Sequence, residues 1–414
     1  MDNLIDRLNK AIDTEYDSKN NEVSEQYKLP LEELVSKGSA ISNAQVWFTN
    51  LLGTSDGTDI SFNTVIVKCP NNISKFREGS PVYLTGHGEQ FKLEVTEDNN
   101  DMMTLEEGYY VYSVPSHLNG SAGWRIDEAA VDIRNIVKKS TALLSYDSDK
   151  FKFLSGILNG KIQPRFSANR EAKARILVLQ TKLNSSQQEA FVKAFSTDNY
   201  YMIQGPPGSG KTWLLAHLAY EFAKEGNKVL ITGPTHTSIN NALQKASTLS
   251  KYPHIIKVGK GNQKEGLNYY GSTARNTADF RTSGYNNDSK GIIVGATCYS
   301  PHARKLEFMD WDIIIIDEAG QLSIPLAVAA MAKGKKFIFI GDHKQLPPII
   351  SESQTDATFT RSIFEHLFQF APGTMLTTTY RMNQAINSFP SHQFYNDKLL
   401  PEAKNANWLL DIPN

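Results

Sequence analysis

Residues 205–212 read Gly-Pro-Pro-Gly-Ser-Gly-Lys-Thr, a spacing suited to holding phosphate. The apolar run at 200–204 before it reads as a strand, and residues 213–222 after it carry the apolar spacing of a helix. A strand, a glycine loop and a helix N-terminus together form an anion cradle, because backbone N–H groups and the helix dipole both favour negative charge. Gly205, Pro206, Pro207, Gly208, Ser209 and Gly210 make the loop, Lys211 reaches the β- and γ-phosphates, and Thr212 offers a hydroxyl to Mg²⁺. The structural alternative is a glycine-rich turn before an ordinary helix. The complete G-x-x-x-x-G-K-T pattern between a strand and a helix favours the cradle.

Two further segments carry chemistry that fits the first. Residues 313–321 read Ile-Ile-Ile-Ile-Asp-Glu-Ala-Gly-Gln. A continuous apolar strand of this kind delivers Asp317 and Glu318 to the carboxyl end of a sheet, where α/β proteins bind ligands. Asp317 there can hold Mg²⁺, directly or through water, and Glu318 can polarise the water that attacks a γ-phosphate. Residues 341–348 read Gly-Asp-His-Lys-Gln-Leu-Pro-Pro after another apolar run. Gln345, at the mouth of the same sheet, is placed to sense the γ-phosphate and relay nucleotide state. The structural alternative for that segment is a turn closed by proline.

The elements that must position these residues divide the chain into five segments. Residues 1–45 are expected to be helical, with Leu4, Leu8 and Ile12 on one stripe and Gly38 stopping a short helix. Residues 46–120 hold short alternating runs at 45–49, 63–68, 81–85, 90–96, 102–105 and 109–114, as in a small antiparallel barrel or sandwich. Helical spacing returns at Ile126, Ala130, Ile133, Val137 and Leu144, so residues 121–171 are expected to be a second stalk and connector. Residues 172–371 alternate strand and helix, with buried-type strands at 200–204, 228–232, 254–258, 292–296, 312–317 and 336–340, the pattern of a parallel sheet covered on both faces. A polar stretch at about 259–290 reads as a surface insertion. Residues 372–414 open a further domain with little room to complete it.

Composition bounds the class without naming a partner. The chain has 414 residues, and 40% hydrophobic with 21% charged residues are ordinary globular values. A net charge of −1 provides no global field for nucleic acid or membrane, so any polyanion site must be local. Cys69 and Cys298 lie far apart without metal-ligand spacing, which fits a reducing compartment. With no signal peptide or long apolar span in view, the expectation is a cytoplasmic protein, the nucleus left open, with no membrane partner.

In order along the chain, Leu183-Asn-Ser-Ser-Gln187, the phosphate loop, Asp317-Glu318, the Gln345 segment and Thr379-Tyr-Arg-Met-Asn383 resemble the motifs of superfamily 1 helicases. The branch they resemble is the 5′→3′ group of the nonsense-mediated-decay and immunoglobulin mu-binding helicases. The resemblance implies an α/β fold: a RecA-like P-loop domain with a parallel sheet, preceded by a small antiparallel β-barrel on a helical stalk. It implies ATP and Mg as cofactors and single-stranded nucleic acid, DNA or RNA, as partner. Gln187 would read the adenine edge, Tyr380 would stack on adenine, and Arg381 would approach the γ-phosphate as an arginine finger. Loops carrying Pro234, Thr235, His236 and Thr297 would meet the single-strand backbone, although His236 and Asn240 depart from the small polar residues usual there. Arg165, Arg170, Lys173 and Arg175 form a basic connector that reads either as a phosphate contact or as a solvated linker.

Two motifs of that family's second RecA-like domain do not follow Arg381, and the apolar run at 408–412 reads as a strand without a sheet. The expectation is a truncated piece, or half of a split enzyme whose second chain supplies the missing domain. Its turnover would then be slow on its own. Two other classes stay open: a P-loop ATPase acting as a switch or remodeller, and a non-enzymatic module holding single strands.

Overall fold

The structure is a computed structural model describing residues 2–49, 58–70, 72–76, 80–99, 101–107, 111–130, 132–249, 254–259, 267 and 274–407. The chain forms two compact units, Asp13–Asp132 and Met1–Ile12 with Ile133–Asn414. Helix α1 (Asp2–Gln26) contributes residues to each.

In the smaller unit, α2 (Leu31–Ser36) ends before Gly38, whose φ of 73° is the left-handed conformation that ends helices at glycine. The strands are β1 (Ala40–Phe48), β2 (Asp59–Phe62), β3 (Thr64–Lys68), β4 (Pro81–Gly86), β5 (Glu89–Asn99), β6 (Met102–Glu106), β7 (Tyr112–Pro115) and β8 (Trp124–Glu128). Six close an antiparallel barrel in the order β1-β3-β6-β5-β4-β8, and β2 pairs with β7 as a separate ribbon. Alternate inward residues meet in one core, where Phe48, Phe62, Phe91 and Trp124 pack largely edge to face. The helical spacing expected from Ile126 onward is corrected here. Ile126 is fully buried in β8, opposite Ile41 and Leu84, and the next helix starts at Arg134. A five-residue alternating run is compatible with either period, and the barrel needs it to close.

The larger unit opens with α3 (Arg134–Tyr146), α4 (Ser148–Leu158), α5 (Ala168–Val178) and α6 (Ser185–Ser196). Strand and helix then alternate: β9 (Tyr200–Gln204), α7 (Lys211–Lys224), β10 (Lys228–Thr232), α8 (His236–Ser247), β11 (His254–Val258), β12 (Arg275–Thr277), β13 (Ile292–Gly295), β14 (Trp311–Ile316), α9 (Ile324–Met331), β15 (Gly334–Gly341) and α10 (Ile363–Phe368). Last come β16 (Thr374–Met375), β17 (Thr378–Thr379), α11 (Gln384–Tyr395) and β18 (Leu400–Pro401). Eight of these strands form one parallel sheet in the order β12-β11-β13-β10-β14-β15-β9-β16.

Cores lie on both faces of this sheet, and β14 serves each in turn. Ile314 and Ile316 point into one core, and Ile313 and Ile315 into the other. That is why this strand reads as an unbroken apolar run. The polar stretch at 259–290 is not only surface insertion, since Arg275–Thr277 pairs in register with Ile256–Val258 at the sheet edge. Residues 260–266 and 268–273 of that stretch, and the apolar run at 408–412, lie outside the described residues.

Candidate nucleotide site

The phosphate loop leaves β9 beside the end of β15, where Gly205 N donates to Gly341 O at 2.9 Å. Gly208 and Gly210 have φ of 72° and 78°, a left-handed backbone that other residues adopt at a cost. A Cβ on Gly208 would stand 2.4 Å from the Cβ of Arg381, so glycine is needed for the close approach as well. The loop turns into α7 at Lys211, and Lys211 Nζ donates to Gly205 O at 3.0 Å and lies 3.6 Å from Glu318 Oε1.

Strand β14 ends by delivering the two carboxylates as expected, but to different depths. Asp317 is buried, and its Oδ1 accepts from Glu318 N at 3.0 Å. Burial, then the neighbouring Glu318 charge, push its carboxyl up to about 7. Glu318 has φ of 49°, an uncommon left-handed conformation for a non-glycine residue, and this turns its side chain out to the cavity wall. A buried carboxylate with no ion-pair partner among the described residues suits a divalent cation, which would replace the missing counter-charge.

The third wall comes from far along the chain. Thr379 Oγ1 donates to Pro207 O at 3.0 Å and Tyr380 N to Gly208 O at 2.8 Å, so the segment after β16 is hydrogen-bonded directly onto the phosphate loop. Asn184 Nδ2 donates to Tyr380 Oη at 2.8 Å and fixes the ring. Pro206 to Thr212, Glu318, Gln345, Tyr380 and Arg381 line one cavity of about 520 Å³, within the range typical of small-molecule sites.

Gln187 does not line this cavity. It is buried, its Oε1 accepts from Asn184 N at 3.0 Å, and its Nε2 donates to Ser209 O at 3.0 Å. In this arrangement it forms the capping box of α6 and braces the phosphate loop from behind.

Around the sheet's carboxyl edge the expected backbone-contact residues behave differently from one another. Pro234 is half-buried; Thr235 is exposed and caps α8, while Thr297 is buried and bonded to Ser300 Oγ at 2.7 Å. His236 Nδ1 faces Lys257 Nζ at 2.9 Å. Burial, then Lys257 and Lys305, push His236 down to about 4, so its ring is neutral near pH 7 and brings no charge to a phosphate. On the connector, Arg170 and Lys173 pair with Glu225 and Arg175 pairs with Glu171, the behaviour of a solvated helix face.

Two residues of the site were not singled out by sequence reasoning. Asp342 sits inside the 341–348 motif, so a signal for it existed. Its buried carboxylate accepts from Gln204, Gln345 and Tyr395 side chains. Tyr395 carries no signal, being one aromatic among several on α11.

A parallel sheet bearing a phosphate loop after one strand, a glutamine after the strand beside it and an Asp-Glu pair at the end of the next defines a P-loop domain of RecA-like fold. Family comparison agrees: residues 182–384 match one AAA-domain model and residues 359–411 a second. The DNA replication ATP-dependent helicase/nuclease DNA2 of Saccharomyces cerevisiae is 32% identical over 228 residues, covering 53% of this chain and 15% of that protein. Its Gallus gallus counterpart is 27% identical over 318 residues, 72% of this chain and 31% of that protein. The DNA polymerase alpha-associated DNA helicase A of Saccharomyces cerevisiae is 28% identical over 302 residues, 57% of this chain and 44% of that protein. The chain is thus similar to ATP-dependent DNA helicases, and it spans less than half the length of these relatives. Among solved structures, an Arterivirus nonstructural protein 10 (helicase) with DNA aligns over 80% of this chain and 56% of its own, at 14% identity and a TM-score of 0.37.

Proposed function

We propose that this chain hydrolyses ATP as part of a helicase or translocase that moves along single-stranded nucleic acid and opens duplex. The observation that carries the reading is the single cavity walled by the phosphate loop, Glu318, Gln345 and the Tyr380-Arg381 pair. Lys211 and the loop amides bind the phosphates, Glu318 accepts a proton from the attacking water, and Arg381 offsets charge on the transferring phosphoryl oxygens. Tyr380 offers an aromatic face to the base, Gln345 reads nucleotide state, and Gln187 acts on the base or behind the loop. Thr212 and Asp317 would hold Mg²⁺, which when bound neutralises the phosphate charge.

For the polymer we infer single-stranded DNA, a choice supported by relatives named for DNA replication, gripped at the loops of Pro234, Thr235, His236 and Thr297. The 5′→3′ branch and a second chain completing the motor are further parts of the proposal. The domains that follow from it are a stalk at 1–45, a barrel at 46–120, a connector at 121–171, the ATPase domain at 172–371 and the opening of a second lobe at 372–414.

ATP turnover measured without polymer, with single-stranded DNA and with single-stranded RNA tests the reading. Turnover that is raised by DNA and lost in Lys211→Ala is expected. Turnover indifferent to either polymer would favour a switch or remodeller, and polymer binding with no Lys211-dependent turnover would favour a binding module.

A further inference from the structure

We propose that Tyr395 is a positioning residue for Gln345, acting through the buried carboxylate of Asp342; the inference rests on the nucleotide reading of the cavity. Asp342 follows β15 directly, and four donors converge on it. Its Oδ1 accepts from Gln204 Nε2 at 3.1 Å and from Lys344 N at 3.1 Å. Its Oδ2 accepts from Gln345 Nε2 at 2.8 Å and from Tyr395 Oη at 2.6 Å. Among the described residues no cation pairs with Asp342, so hydrogen bonds alone compensate the buried charge and together fix where the carboxylate points.

The four donors come from three parts of the chain, Lys344 and Gln345 sharing the loop after β15. Gln204 ends the strand that leads into the phosphate loop, and Gln345 lines the nucleotide cavity. Tyr395 closes α11, the helix that follows Arg381. That helix is tied to the Tyr-Arg segment: Asn387 Nδ2 and Ser391 Oγ donate to Leu399 O, β18 pairs with β17, and Asn405 Nδ2 donates to Tyr380 O at 2.7 Å. One continuous bonded path therefore joins the segment carrying Arg381 to Gln345, with the Tyr395 hydroxyl as the only side-chain link from α11 to Asp342 among the described residues.

The end of that path is a two-way choice. Gln345 Nε2 bonds Asp342 at 2.8 Å and reaches Gly205 O at only 3.5 Å, the same carbonyl that Lys211 Nζ uses at 3.0 Å. A fixed Asp342 holds Gln345 at the cavity mouth. A displaced α11 releases Oδ2 and lets the amide swing. Motion of the segment after Arg381 is in this way transmitted to the residue facing the γ-phosphate.

The test is Tyr395→Phe in the full chain, alone and combined with Gln345→Ala, with turnover and ATP KM measured in the presence of single-stranded DNA. The ring is retained, so packing is preserved while one bond to a buried charge is lost. The expected result is a fall in kcat of about tenfold with KM within about twofold, and no further loss in the Gln345→Ala background. Multiplying losses in the double variant, an unchanged kcat, or a matching rise in KM would each overturn the inference. Ser388→Ala removes a bond inside α11 that lies off this path, and an equal kcat loss there would also overturn the inference by making the effect a general property of the helix. If Lys211→Ala leaves turnover intact, the nucleotide reading itself fails and this inference with it. If Lys211→Ala abolishes turnover and Tyr395→Phe does not lower it, the inference alone fails.

Discussion

Glu318 and Lys336 show how one residue's surroundings set what it does. Glu318 is partly exposed on the cavity wall, 3.6 Å from Lys211, and its left-handed backbone aims it away from buried Asp317. Glu318→Gln keeps the shape and removes the proposed base. It should bind nucleotide as before and lose turnover by about 10²–10⁴-fold, as fluorescent-nucleotide titration and ATPase rates will report. Lys336 has the opposite character. Its Nζ is buried against the Phe222 ring with no hydrogen-bond partner among the described residues, and burial, then Arg170, push it down to about 7 despite Asp198 and Glu225 nearby. Its ordinary value is 10.5. Below pH 7 both folded and unfolded chains carry the proton and the burial penalty is complete; it fades as pH rises from 7 toward 10.5. Lys336→Met should therefore stabilise the fold by about 1–3 kcal/mol at pH 6 and progressively less toward pH 10, measured by denaturant unfolding. A gain that grows with pH would contradict this account.

At the scale of elements, the phosphate loop and the Thr379–Arg381 segment are one assembly. Two main-chain carbonyls of the loop, on Pro207 and Gly208, accept from Thr379 and Tyr380. Gly208→Ala sets a methyl group against the Arg381 Cβ and backbone N while leaving a left-handed backbone to a residue that resists it. The strain is on the order of 1–2 kcal/mol before any clash. Nucleotide affinity should drop at least tenfold and the segment should become more protease-sensitive; unchanged affinity would mean the two elements are not coupled. Six of the eight parallel strands were legible because they are largely buried on both faces and therefore mostly apolar, whereas the short, partly exposed β12 and β16 were not. Strand β8 was not, because Trp124 to Glu128 is too short to separate a period of two from a period of 3.6, and its partners Ile41 and Leu84 lie far off in sequence.

Across the whole molecule, the barrel has its own core, distinct from the two that flank the parallel sheet. Each unit can then unfold as its own cooperative transition. Calorimetry should resolve two transitions, and Mg-nucleotide should raise only that of the unit carrying the phosphate loop, by RT ln(1 + [L]/Kd). A single transition, or an equal shift of both, would show that the units unfold together. Among the described residues no helix is long and apolar enough to cross a membrane.

Local chemistry was readable wherever spacing alone fixes it. The phosphate loop, Asp317-Glu318 at a strand end, and Gln345 after the next strand depend on residue order and strand polarity, and both are present in the chain itself. Tertiary structure decided what depends on distant partners. It turned Gln187 inward to bonds with Asn184 and Ser209. It neutralised His236 by burying it against Lys257. It also brought Tyr395 to Asp342 across 53 positions of sequence. A hydrogen bond between residues so separated leaves no periodicity behind, and a buried group's charge depends on neighbours that only folding supplies.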